Sequence, residues 1–236
     1  MYSFTSRIRF SEVDTHLNLT LGSVIDYFQD CSTFHSEAVG MNIARLSAMK
    51  RAWILSSWQI VPVRFPKLGE KVTISTWPYD FHGFFGYRNF TMTGEDGECL
   101  VYANSILIYM DTETGRPVKV DQEQEACFRI EEKFPMKYAD RKIRMPEETE
   151  ERESFQVAKH HLDINHHVNN AQYIKMAEEY LPEGFALKEM QTEYKKAAML
   201  HDVIVPRVAR EDGRLTVALT DAGGRPYAVV VFQEKQ

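Results

Sequence analysis

The chain has 236 residues, of which 44% are apolar and 26% charged, with a formal net charge of −6 at neutral pH. That is an ordinary globular composition, long enough for one large domain or two small ones, and it lacks the concentrated basic surface that phosphate neutralisation needs, which excludes broad nucleic-acid binding. Cys31, Cys99 and Cys127 are odd in number and far apart. This argues against a disulfide framework or a cysteine zinc site and for a reducing compartment. No signal-length apolar core opens the chain and no apolar run reaches the roughly 18 residues of a membrane span, so the expectation is a cytoplasmic protein without a span.

Arg7 to Phe10 reads as a strand. From about Leu19 to Val39 the spacing of Leu21, Val24, Ile25, Phe28 and Cys31 places one apolar face on a helix. Val72 to Thr76 and Tyr87 to Thr93 alternate as strands do. Gly94-Glu95-Asp96-Gly97 supplies the turn into Leu100 to Met110, whose nearly continuous apolar run suits a central strand. The first unit is thus expected over residues 1–120. Residues 121–154, rich in charge and interrupted by Pro135 and Pro146, read as a connector, too long for a plain loop and expected to be helical over Gln122 to Phe128.

The second unit, 155–236, repeats the order. A helix is expected over Asn170 to Leu181, with Tyr173, Ile174, Ala177, Tyr180 and Leu181 on one face. Strands are expected at Glu189 to Ala198, Val203 to Ala209, Arg214 to Thr220 and Tyr227 to Phe232. An offset of 149 positions lays Asp14 on Asp163, Leu19 on Val168 and Ile25 on Ile174, as an internal duplication would.

Chemistry concentrates in Leu162 to Ile174. Asp163, Asn165 and His167 alternate, so on an extended segment their side chains share one side, and Asn169 or Asn170 can cap the helix that follows. The set offers an acid/base group, a polar orienter and backbone N–H donors. His160, His161, His166 and His167 raise the question of a metal. Neighbouring histidines on a strand point apart, and no acidic or cysteine partner stands at a recognised spacing, so no metal is expected. Turn and cap roles account for the polar residues as well as catalysis does. On the residues alone both readings stand.

The run Asp163-Ile164-Asn165-His166-His167-Val168-Asn169-Asn170, followed by Ala171-Gln172-Tyr173-Ile174, resembles the D-x-N-x-H-V-N-N-x-x-Y-I signature of acyl-acyl carrier protein (ACP) thioesterases. Phe10 to Asp14, Tyr27 to Ser32 and Glu193-Tyr194-Lys195-Lys196 are similar to bacterial members, and the likeness spans nearly the whole chain. It implies an α+β architecture of two hotdog units, each a long helix wrapped by an antiparallel sheet, forming one continuous sheet. It further implies hydrolysis of the thioester between a fatty acyl chain and the phosphopantetheine arm of ACP. Asp163, Asn165 and His167 would be the catalytic residues, with no cofactor, no metal, and a homodimer as a candidate assembly.

Plant members carry E-Y-R-R-E-C where this chain reads Glu193-Tyr194-Lys195-Lys196-Ala197-Ala198. Ala198 cannot be a nucleophile and Ala197 cannot supply a carboxylate, so direct attack by water is expected, with His167 or Asp163 as base, Asn165 binding the water or thioester, and amides at the helix start stabilising the oxyanion. The cysteines read as buried small apolar groups.

The first unit pairs Asp14 with Asp163 but has His16 for Asn165 and Asn18 for His167. One active site per chain is expected, with the first unit shaping an acyl pocket walled by some of Trp53, Trp58, Trp77, Phe81, Phe84 and Phe85. Lys195, Lys196 and Arg207 are candidates for docking acidic ACP. An acyl-coenzyme A thioesterase, a non-catalytic acyl-binding protein and, last, a dehydratase are the rival readings.

Overall fold

Thr20 begins the longest helix. Its extended backbone and its Oγ1, which accepts from Ser23 N at 3.2 Å, cap α1 (Leu21–Ala38). The helix starts two residues later than its apolar pattern suggests because Leu19 is held in a bridge with Val13. The computed structural model describes residues 1–235, which divide into a first unit of residues 1–138 and a second from 139 onward.

In the first unit β1 (Tyr2–Arg7) precedes a 3-10 turn at Phe10–Glu12. After α1 come α2 (Ile43–Ala48), β2 (Arg51–Pro62), β3 (Lys71–His82), β4 (Phe85–Gly94), β5 (Cys99–Asp111), β6 (Arg116–Pro117) and α3 (Gln122–Cys127). The antiparallel order is β1-β3-β4-β5-β2, with β6 on β5. α1 lies on β1 and β3. Its Leu21, Val24, Ile25, Phe28 and Cys31 are all buried, with the Phe28 ring 5.2 Å from Phe90 and 6.1 Å from Trp58. Burying a side chain of this size is worth roughly 1.5–3 kcal/mol.

Two sequence expectations change here. Arg7 to Phe10 is not the strand: pairing with β3 ends at Arg7, and Phe10 sits 80% exposed in the 3-10 turn. β2 has no counterpart among the expected elements. It buries Ser56, Ser57 and Gln59 among its apolar residues and shifts register between Leu55 and Ser57, so neither alternation nor an apolar run marks it.

The second unit contains β7 (Glu150–Glu151), β8 (Phe155–Gln156), a 3-10 turn at Lys159–His161, α4 (Asn170–Glu178), β9 (Leu187–Tyr194), β10 (Val203–Glu211), β11 (Arg214–Thr220) and β12 (Pro226–Glu234). The order is β9-β12-β11-β10, all antiparallel, with β7 and β8 both on β10. α4 rests on β11 and β12. It ends at Glu178, three residues short of Leu181, where the chain turns toward Pro182, which cannot continue a helix.

The connector is laid down on the two units. Trp77 Nε1 donates to Glu132 O at 2.8 Å, and Asn89 Oδ1 accepts from Phe134 N at 3.0 Å and Tyr138 Oη at 2.9 Å, all within the first unit. In the second, Ile143 N donates to Glu193 Oε2 at 2.9 Å and the Ile143 side chain packs on Ala218, Val229 and Val231.

Candidate active site

Asp163 organises the loop before α4. Its Oδ1 accepts from Asn165 N at 2.8 Å and His167 N at 3.3 Å, while its own N–H donates to His167 O at 2.8 Å and its carbonyl accepts from His166 N at 3.1 Å. This is an Asx turn closed by a backbone bridge between Leu162 and Val168. His166 takes φ of 61°, the left-handed value such a turn demands.

Asp163, Asn165 and His167 therefore do come together, but not by alternation along an extended segment. The tight turn draws them in. Asn165 is exposed, with Nδ2 3.4 Å from Asp163 Oδ2. His167 is half-buried, and its imidazole makes no hydrogen bond to any other described residue. Asp163 meets it through the backbone and not through the ring.

The helix start is already occupied. Asn169 Oδ1 accepts from Ala171 N at 2.8 Å, Asn169 O from Gln172 N at 2.9 Å, and Asn169 N donates to His161 O at 2.8 Å. These three amides are committed, and the Asn165 carboxamide is an exposed neutral donor on the loop. Among the described residues no three His, Cys, Asp or Glu side chains are grouped as a metal site requires. His161 instead uses Nδ1 to accept from Ala158 N at 3.0 Å.

A brace behind the loop explains two more residues. Val168 N donates to Ala198 O at 2.9 Å and His167 bridges Met199. Ala198 N donates to the Tyr173 hydroxyl at 2.8 Å, and Tyr194 Oη donates to Asn170 O at 3.0 Å, the two tyrosine rings lying 5.9 Å apart. Burial pushes the Tyr173 phenol up to about 12, so it stays a neutral hydroxyl. Ala198 is fully buried as part of this brace. The sequence places Tyr173 only on the apolar face of α4; a hydroxyl on an otherwise buried face was the signal of its second role.

The loop before α1 repeats the construction. Asp14 Oδ1 accepts from His16 N at 2.8 Å and Asn18 N at 2.9 Å, Asp14 N donates to Asn18 O at 2.8 Å, and Leu17 takes φ of 62°. Glu12 stands where His161 does and accepts from Arg9 N at 2.8 Å.

The basic candidates are paired. Lys195 Nζ lies 2.9 Å from Glu193 Oε2, Lys196 bridges Asp221 and stands 4.3 Å over the Tyr227 ring, and Arg207 lies 2.8 Å from Glu151. Of the six candidate wall aromatics, Trp53 and Phe81 line a cavity within the first unit. Trp58 is core beside Phe28, Trp77 anchors the connector, and the Phe84 and Phe85 rings lie 4.4 Å apart, tilted by 43°. Burial pushes the Cys31 thiol up to about 12 and raises Cys99 also, which leaves neither a ready nucleophile.

Residues 1–128 match the Acyl-ACP thioesterase N-terminal domain and residues 144–220 the Acyl-ACP thioesterase C-terminal domain. Similar proteins include a chloroplastic palmitoyl-acyl carrier protein thioesterase of Gossypium hirsutum, 23% identical over 83% of this chain and 52% of its own. Another is a chloroplastic dodecanoyl-[acyl-carrier-protein] hydrolase of Cinnamomum camphora, 23% identical over 85% of this chain and 57% of its own. The chain thus spans about half the length of the curated relatives it matches. Among solved structures, an acyl-ACP thioesterase from Bacteroides thetaiotaomicron superposes with a TM-score of 0.90 at 20% identity, covering 99% of this chain and 97% of the other. The 12:0-ACP thioesterase from Umbellularia californica gives 0.85 at 19%, covering 99% and 96%. The fold is the hotdog arrangement, present in each unit.

Proposed function

Because the chain belongs to the acyl-ACP thioesterase family, we propose that it hydrolyses the thioester of fatty acyl-ACP to a free fatty acid and the ACP thiol, with Asn165 and His167 as its reacting groups and Asp163 as the residue that holds them. The observation that carries this reading is the His167 imidazole, half-buried and unengaged on the same turn as the exposed Asn165 carboxamide.

In the reaction His167 takes a proton from water as the water oxygen attacks the thioester carbonyl carbon. Asn165 Nδ2 donates to the oxyanion of the tetrahedral intermediate, a contribution of about 3 kcal/mol where one such donor has been removed elsewhere. The C–S bond then breaks and the imidazolium returns the proton to the departing sulfur. Of the two candidate bases, Asp163 is the weaker choice: one carboxylate oxygen already accepts two backbone N–H groups, and Asp14 performs the same service in a loop that lacks the Asn–His order.

A second reading, acyl-coenzyme A as substrate, is favoured by one observation: Lys195, Lys196 and Arg207 are neutralised by Glu193, Asp221 and Glu151, so the patch foreseen for acidic ACP carries little free charge. Rates of hydrolysis on ACP and coenzyme A thioesters of graded chain length decide between them, and loss of turnover in His167→Ala tests the site on either carrier. A cytoplasmic location and a homodimer complete the proposal. No helix among the described residues is long and apolar enough to cross a membrane.

A further inference from the structure

β4 carries Arg88 on the same face as Phe90 and Met92, and the pleat takes all three into the interior of the first unit, Arg88 to 6% exposure. A buried guanidinium ordinarily has a carboxylate beside it. Here Nη2 donates to His35 Nδ1 at 2.6 Å, Nε lies 3.4 Å from Thr76 Oγ1, and Cζ lies 5.5 Å from the centre of the Phe128 ring. Among the described residues no carboxylate stands within ion-pair distance of Arg88, and its Nη1 has no protein acceptor. His35 does not compensate: burial first, and then the Arg88 charge, hold it down to about 4, so it is neutral. Burial lowers Arg88 only to about 10, so it remains a cation at neutral pH.

This cation lines a cavity of about 40 Å³ whose walls include Trp53, Phe81, Leu107 and Phe128, with Ser32 and Ser36 of α1 alongside. Gly86 allows the indole to lie close over β4, since a Cβ there would come within 2.9 Å of Trp53 Cζ3. A water needs roughly 10–15 Å³ on this measure, so the space suits about three such groups. That is the size of a carboxylate with one or two carbons.

We propose that this cavity is a binding site for a short-chain monocarboxylate, whose oxygens accept from the Arg88 guanidinium while its alkyl part lies against Trp53, Phe81 and Leu107. An uncompensated fixed cation selects an anion over an alcohol. The aromatic and aliphatic walls select an anion that carries an apolar part over chloride or sulfate. The site lies wholly within the first unit and does not depend on the chemistry proposed for the second.

The test is titration of the full chain with acetate and propionate, beside the matched alcohols, chloride and sulfate, by calorimetry and by NMR of the Arg88 Nε–H group. The proposal expects saturable binding of the carboxylates alone, movement of the Arg88 resonance, and at least about tenfold weaker binding in Arg88→Met, the loss expected for one charge-assisted contact. Should Arg88→Met fail to fold, the wild-type resonance carries the test, because it must move with carboxylate and stay still with alcohol. Equal binding of alcohol, chloride or sulfate would overturn the proposal, as would undiminished binding in a folded Arg88→Met or an Arg88 resonance that no carboxylate moves.

Discussion

The loops that precede α1 and α4 share one backbone plan and carry the same polar residue types in exchanged order. Asp14 and Asp163 each gather the N–H groups two and four residues ahead, and Leu17 and His166 each take a left-handed φ. The first loop then reads His16 and Asn18, the second Asn165 and His167. The aspartate is therefore accounted for by folding in both loops, and what sets the second apart is which side chain stands third and which fifth. A motif residue shared by both copies is explained by structure first; one that differs is where the chemistry is to be sought.

The comparison can be broken most sharply by exchanging the residues. Asn165→His with His167→Asn gives the second loop the order of the first, and acyl-thioester turnover should fall by about 10³-fold with circular dichroism and Tm unchanged, since the Asx turn uses only backbone N–H groups of those positions. Asn165→Ala alone should lower kcat by roughly 10²-fold with little change in KM, the signature of a donor used in the transition state. Asp163→Ala and Asp14→Ala should lower Tm by a similar amount, roughly 2–4 °C each, as scanning calorimetry can measure, while only the former lowers turnover.

The smallest effect concerns the helices. Glu178 on α4 occupies the place of Gln29 on α1, and burial pushes its carboxyl up to about 7, against an ordinary 4.5, with Lys175 opposing the shift. The folded state thus prefers the neutral acid. Stability is lost as pH rises from about 4.5 to about 7 and levels off above. Glu178→Gln, which copies α1, should raise Tm at pH 8 and leave it unchanged at pH 4.

Much of this was legible in the residues. The face of α1, the strands β3 to β5 and β10 to β12, and the 149-residue offset follow from periodicity and turn chemistry, because those elements bury one face or, as at Gly97 with its positive φ, meet a turn. β2 escaped because Ser56, Ser57 and Gln59 are buried in it. The turn around Asp163 stood only as one of two readings, because alternate polar residues fit a strand and a turn equally well. Arg88 could have been found: two residues before Phe90 and four before Met92, it shares their buried face. Lys195 pairs with Glu193 two residues before it, whereas ion pairing of Lys196 and Arg207 depends on Asp221 and Glu151, distant in sequence, and no local pattern announces it.

The central claim is that the second loop carries the chemistry that its counterpart lacks. Parallel kcat measurements on His167→Ala and Asn18→Ala, on one acyl-ACP substrate, test it most directly. The account predicts a loss of at least about 10²-fold for His167→Ala and less than about twofold for Asn18→Ala. Near wild-type turnover in His167→Ala, or an equal loss in both variants, would contradict it.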